Sequence, residues 1–187
     1  MSNSNVDVSP TSSPGSAKAL RYALTRRIRL LGQLARQQAV DAATMVGTVL
    51  RLWCEVDFAA LPPAQLPHDE ALSVEPSVRA FAEQLRGMDL LEASYWLSSS
   101  YAMLADDHYR KRLAMFFTPA SLTRGLLDDL ADEGVDFGSH SFFDPACGGA
   151  AFLAPIALRM RKSLKQRGFS PRRVLAHVEA NLYGTDL

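Results

Sequence analysis

SFFDPACGGAAFL, residues 141–153, packs three signals into one short stretch. The aromatics Phe142 and Phe143 read as the end of a short strand, about 141–143. Asp144-Pro145 reads as a tight turn, and the small residues from Ala146 to Ala151 lead into a helix spanning about 149–167. A turn of small residues lets a ligand approach main-chain N–H groups. The helix that follows points its N-terminus at the same place and favours an electronegative group. Asp144 sets a negative charge at the mouth, suited to a cationic or amine-bearing ligand. The plainer alternative is that Ala146, Gly148, Gly149, Ala150 and Ala151 only permit close strand–helix packing.

The flanking segments extend the pattern. Downstream, Pro171 opens a helix to about Asn181, and LYGTDL (182–187) reads as a second strand. Upstream, MFFTPASLTRGLLDDLADEG (115–134) is an extended piece followed by a helix. Pro119 biases Thr118 away from helical angles. Ser121 is the expected cap, Leu122, Leu126, Leu127 and Leu130 the expected apolar side, and Gly134 the stop. The order helix, strand, helix, helix, strand predicts the start of an alternating α/β unit with a parallel sheet. In open parallel sheets ligands bind beyond the carboxyl ends of the strands, and an acid closing the second strand accepts hydrogen bonds from ribose hydroxyls. Asp186 holds that place. Asp144, the small turn and Asp186 together describe a nucleoside-containing ligand with a positive centre. Neither GxGxxG nor GxxxxGK[ST] occurs, which disfavours a nicotinamide dinucleotide and a P-loop.

The rest of the chain bounds the answer. Residues 1–17 are rich in Ser, Asn and Pro and are expected to be a disordered tail. Residues 18–112 read as a helical region without a chemical motif. Leu20, Leu24, Ile28, Leu31 and Leu34 form one apolar stripe there, and Val78, Phe81, Leu85, Met88, Leu91, Tyr95 and Leu97 form another. Gly32 and Gly47 are the expected break points, and Pro62, Pro63 and Pro67 mark a loop. Lys+Arg and Asp+Glu are both 20, so overall charge points to no polyanion. The basic runs Arg21–Arg29 and Arg159–Arg173 read first as solvated faces, with phosphate contact as the alternative. The two cysteines and four histidines lack metal-ligand spacing, so no metal site and no disulfide framework are expected. No apolar run reaches the roughly 20 residues a bilayer span needs. These features predict a cytoplasmic chain with no membrane partner.

Three pieces, in order, resemble DNA N6-adenine methyltransferases. FFDPACGGAAFL is similar to their first cofactor motif, DPACGSGAFL; FFTPASLTRGLLDDL is similar to the F-Y-T-P segment and helix before it; NLYGTDL is similar to the second-strand motif, LYGVDID. Together they fall within residues 115–187. The resemblance implies S-adenosylmethionine as cofactor. It places Phe117, Thr118 and Pro119 against the methionine end, and Asp144 near the methionine ammonium and sulfonium. The backbone from Ala146 through Cys147, Gly148 and Gly149 to Ala150 would line methionine and ribose, with Pro145 also at the cofactor. Phe152 would pack behind the loop, and Asp186 would hold the ribose hydroxyls. One departure stands out: the family has Gly-Ser-Gly where this chain has Gly148-Gly149-Ala150. A positive φ at that last position would cost an alanine about 1 kcal/mol.

The family's catalytic motif, [DNS]PP[FYW], is absent from the 187 residues; the lone Pro-Pro is Leu61-Pro62-Pro63-Ala64. No catalytic residue is therefore assigned. The expected fold class is α/β: the helical region, then the first part of a Rossmann-like methyltransferase domain (113–187), truncated after its second strand and exposing sheet edges. The expected role is a fragment or subunit of a site-specific DNA adenine methyltransferase of restriction–modification or phage-defence type. DNA would be met through the complete enzyme, with the missing C-terminal catalytic portion or a complementing subunit as partner. The alternative is a non-catalytic remnant, or a helical interaction module with a vestigial cofactor site.

Overall fold

The computed structural model describes residues 14–57, 67–106, 110 and 118–186. Helices dominate them: α1 (Pro14–Gln37), α2 (Ala42–Asp57), α3 (Glu70–Ser73), α4 (Pro76–Arg86), α5 (Leu90–Leu104), α6 (Ala120–Asp132), α7 (Leu153–Gln166) and α8 (Pro171–Asn181). Two strands of three residues each, β1 (Phe142–Asp144) and β2 (Leu182–Gly184), pair in parallel.

The first core lies among α1, α2, α4 and α5. The stripe Leu24, Ile28 and Leu31 of α1 is buried with Met45 and Val49 of α2, Val78, Phe81 and Leu85 of α4, and Leu97 of α5. Each set recurs at three- and four-residue steps, so each helix turns one side inward. Polar groups tie the joints. Asp41 accepts from the Thr44 amide at 2.7 Å and starts α2, and this bond holds its carboxyl below the usual range. Buried Thr48 donates to the Thr44 carbonyl at 2.8 Å and accepts from the Asp69 amide at 3.0 Å. Asp89 caps α5 through the amides of Leu91 and Glu92.

The helical stretches break elsewhere than expected. α1 runs through Gly32, and the chain turns at Gln38–Asp41, where Ala39 takes φ of 54°. α2 likewise runs through Gly47. One interior glycine costs a helix only about 1 kcal/mol, and burial outweighs it. At Gly32 a Cβ would lie 3.2 Å from Leu104 Cδ2, so the glycine serves the α1–α5 approach. The tail expected over 1–17 lies outside the described residues up to 13; Pro14–Ala17 belong to α1.

The second core is small. Leu127 of α6, Phe137, and Ile156 and Met160 of α7 are buried, with Phe142, Phe152, Val178 and Leu182 packed around them. Phe137 stacks on Phe142, with ring centroids 5.2 Å apart. α6 starts after Pro119 without a side-chain cap, so Ser121 does not fill that role. α6 buries only Thr123 and Leu127, leaving Leu122, Leu126 and Leu130 exposed rather than forming an inward stripe.

The expected Rossmann-like α/β domain is not what the chain forms. The described residues are mostly helical, and the sheet among them is a single parallel pair. Parallel sheets are stable when helices cover both faces. Here α7 and α8 lie against β2, while Phe143 and Tyr183, opposite one another in the register, stay 62% and 51% exposed. Two three-residue strands cannot build a doubly wound layer. The local elements fall near their expected places: β1 at 142–144 against 141–143, α8 over the expected 171–181, and β2 ending at 184 rather than 187.

The loop into β1 is clamped by one carboxylate. Both oxygens of Asp136 accept from Arg167 Nη2, at 2.6 and 2.5 Å. The Gly138 amide and Ser139 hydroxyl also donate to it. Gly138 has to be small, because a Cβ there would lie 2.5 Å from Ser163 Oγ. The Arg167 guanidinium, helped by the Gly138 and Ser139 donors, holds the Asp136 carboxyl well below the usual carboxylate range. A carboxyl depressed in the folded state stabilises it fully above its unfolded pKa, about 3.9, and that stabilisation drains away as pH falls toward the depressed value. Asp136→Asn is therefore expected to melt below the parent at pH 7. The gap should narrow as pH is lowered from 5 toward 2 in thermal melts followed by circular dichroism; a gap constant with pH would contradict the clamp.

Candidate functional site

The parallel pair brings the turn after β1 and the end of β2 to one place. The ladder continues past the strands: the Thr185 amide donates to the Asp144 carbonyl at 3.0 Å, and the Cys147 amide donates to the Thr185 carbonyl at 3.0 Å. The Thr185 hydroxyl donates to the Pro145 carbonyl at 3.2 Å. The Gly148 amide donates to Asp186 Oδ2 across 38 positions of sequence. Asp144, the small turn and Asp186 thus share one end of the sheet.

Their donors and acceptors are partly spent on each other. Asp144 Oδ1 accepts from the Ala146 amide at 3.1 Å, a local turn of the kind aspartate favours. The Ala150 amide donates to the Cys147 carbonyl at 2.7 Å. Gly184 lets the turn close onto β2: a Cβ there would lie 2.5 Å from Leu153 Cδ1 and 3.1 Å from Cys147 Sγ. Cys147 is half-buried in that contact and carries its backbone bond to Thr185. Pro145, Ala146 and Gly148 are exposed, and Gly149 is half-buried.

The helix after the turn begins later than its composition suggests, at Leu153 rather than Gly149. The reason is local. Gly148 has φ of 47° and Ala150 has φ of 60°, so the backbone loops before it can wind. Phe152 then packs into the second core, behind the turn.

Thr118 reaches the far side of the turn. Together with Ser98 and Tyr95 of α5, Gly149, Ala150 and Pro155, it lines a cleft with about 20 Å³ of free volume. That is room for about one water. Pro119 is exposed beside it, and Phe117 lies outside the described residues. The residue that sequence reading missed is Ser98, whose hydroxyl donates to the Gly149 carbonyl at 2.9 Å. It sits 51 positions upstream in a helix with no motif, so no local signal could have found it.

A wider groove of about 480 Å³ runs beside α6 and α7, lined by Asp128, Phe137, Arg159 and Lys162 among others. Arg159 and Asp128 are engaged with each other there. Arg159 donates to Asp128 at 2.5 Å and to the Leu127 carbonyl at 3.0 Å, and lies over the Phe137 ring. Among the described residues, no group of three or more His, Cys, Asp or Glu is placed to hold a metal ion, and no helix is long and apolar enough to cross a membrane.

No family model, curated protein or solved structure matches this chain. The site is therefore read on its own residues.

Ala150, like Ala39, sits in the left-handed region, and here the cost falls on the turn itself. A non-glycine residue in the left-handed region costs about 1–2 kcal/mol, and glycine gives back part of that gain through its freer unfolded chain. Ala150→Gly is expected to raise the unfolding free energy by about 0.5–1 kcal/mol in urea titrations. A loss of stability would mean that the alanine methyl packs usefully in the cleft.

Proposed function

We propose that this chain supplies the S-adenosylmethionine-holding part of a DNA adenine N6-methyltransferase. The observation that carries the reading is the junction of Asp144, the Gly148 amide and Asp186 at one end of a parallel strand pair. Three separate sequence pieces resemble one family in the right order, and two of them meet at this junction. The third, through Thr118, borders the same turn.

The chemistry of the donors suits the ligand's polar ends. The Asp186 carboxylate is exposed and accepts from one amide; it would take the ribose hydroxyls in addition to, or in place of, the Gly148 N–H. The Asp144 carboxylate is half-exposed beside it and would face the ammonium and sulfonium charge. When bound, the cofactor supplies an electrophilic methyl group. This chain's residues orient it but contain no [DNS]PP[FYW] segment to present a flipped adenine. Methyl transfer on this reading requires a further portion or subunit that carries such a segment.

A second reading has its own support. The cleft beside Thr118 has room for about one water, Ala150 is strained, and Asp186 is already engaged. Those features suit a vestigial cradle whose helical bundle binds partners.

Calorimetry at high protein concentration separates the two. The first reading expects heat with S-adenosylmethionine. Asp186→Asn, which keeps an acceptor for Gly148 but loses the charge, should weaken binding roughly fivefold, because bonds to charged acceptors are worth about 1 kcal/mol more than neutral ones. No heat from the parent chain, or equal heat from the variant, would favour the vestigial cradle.

A further inference from the structure

We propose that the outer face of α1 is a docking surface for the phosphate backbone of duplex nucleic acid. Six of its 24 residues are Lys or Arg, and none is acidic. The buried side of the helix is settled by Leu24, Ile28, Leu31 and Ala35, which pack into the bundle core. At 100° per residue the side away from that stripe gathers Lys18, Tyr22, Arg26, Arg29 and Arg36, with Arg21 on the flank beside the buried stripe. All six are exposed, Tyr22 at 72%. Arg27 is exposed on the flank.

Four arginines elsewhere have acidic partners. Arg51 pairs with Glu70, Arg124 with Asp89, Arg159 with Asp128 and Arg167 with Asp136. Among the described residues, no acidic side chain pairs with any α1 cation. The chain as a whole is neutral, so α1 at +6 is balanced by −6 spread over the rest. A long single-sign stripe on an otherwise acidic molecule both attracts and orients a polyanion.

The geometry favours a duplex over an anionic membrane. A membrane-surface helix needs an apolar face to insert, and the apolar face of α1 is committed to the bundle. From Lys18 to Arg36 the stripe is about 27 Å long at 1.5 Å per residue. That matches roughly eight base pairs at about 3.4 Å each. Five of the six cations on α1 are Arg, whose planar fork pairs with phosphate oxygens better than an ammonium does. Tyr22 adds a hydroxyl beside the stripe that suits a phosphate oxygen. The surface lies on the bundle, apart from the turn at Asp144, and does not depend on the cofactor reading.

The test is fluorescence anisotropy of the full chain with a labelled 20-base-pair duplex, without cofactor, across a salt series. Binding is expected with a log–log salt slope of roughly −4 to −5, as about five neutralised phosphates require. The triple variant R21Q/R26Q/R29Q should flatten that slope by roughly 2 to 3 and weaken binding at least about tenfold at 0.1 M salt. Its melting temperature should match the parent's, since all three side chains are exposed. The comparison variant R161Q/K162Q/K165Q, on α7, should leave the slope in place. The proposal is overturned by absence of duplex binding, by an unchanged slope in the α1 variant, by loss in the α7 variant instead, or by binding to phosphatidylserine vesicles but not to duplex.

Discussion

Everything in the C-terminal part of the molecule depends on one short parallel pairing. β1 and β2 contribute three residues each, and backbone bonds through Asp144, Thr185 and Cys147 extend the contact past the strand ends. Without it, the turn and Asp186 would have no reason to meet across forty-odd positions of chain. The pairing is in turn placed by a small core in which Phe142 stacks on Phe137 and Leu182 packs beside it. A sheet this narrow is marginal alone. It persists because α7 and α8 lie along it and because Asp136 and Arg167 fasten the entry loop.

Local chemistry was readable wherever a residue type dictates a backbone choice. Pro171 opens α8, and Gly134 and Gly168, both with positive φ, follow the ends of α6 and α7. The apolar stripe of α1 announced its buried face at Leu24, Ile28 and Leu31. Periodicity failed where burial is decided by what lies opposite. Leu122, Leu126 and Leu130 have helical spacing, but no described element covers them, so spacing alone could not say which side of α6 turns inward. The larger error was architectural. The order of elements predicts a parallel α/β unit and the methyltransferase resemblance a Rossmann-like layer, yet two strands of three residues cannot supply a sheet to be covered on both faces. At the site, the meeting of Asp144 with Asp186 was legible from strand order. The contribution of Ser98 was not, because it comes from a helix whose own sequence carries no chemical mark.

Charge divides the molecule differently from the cores. In the C-terminal part, basic side chains of the Arg159–Arg173 run are used inward: Arg159 holds α6, Arg167 holds the β1 entry, and Arg173 covers Phe169 at 4.4 Å. Three of the seven cations in a run that resembles a phosphate-binding patch in sequence are thus tied into the fold. Among the described residues, no acidic side chain pairs with the cations of α1. Two stretches of similar composition therefore differ in how far the fold draws on their cations.

The bond from Ser98 to the Gly149 carbonyl has a practical consequence for anyone trimming the chain. The cofactor-like motifs all lie after residue 112, which invites removal of the helical region as a dispensable leader. Such a deletion would strip away the α5 wall of the cleft and release the peptide group next to Ala150, the residue in the left-handed conformation. It would also free Arg124 from Asp89, the 2.6 Å contact that joins α6 to the start of α5. The smallest piece that keeps the turn in its native shape therefore begins before α5, and the boundary suggested by motif content cuts through the scaffold that shapes it.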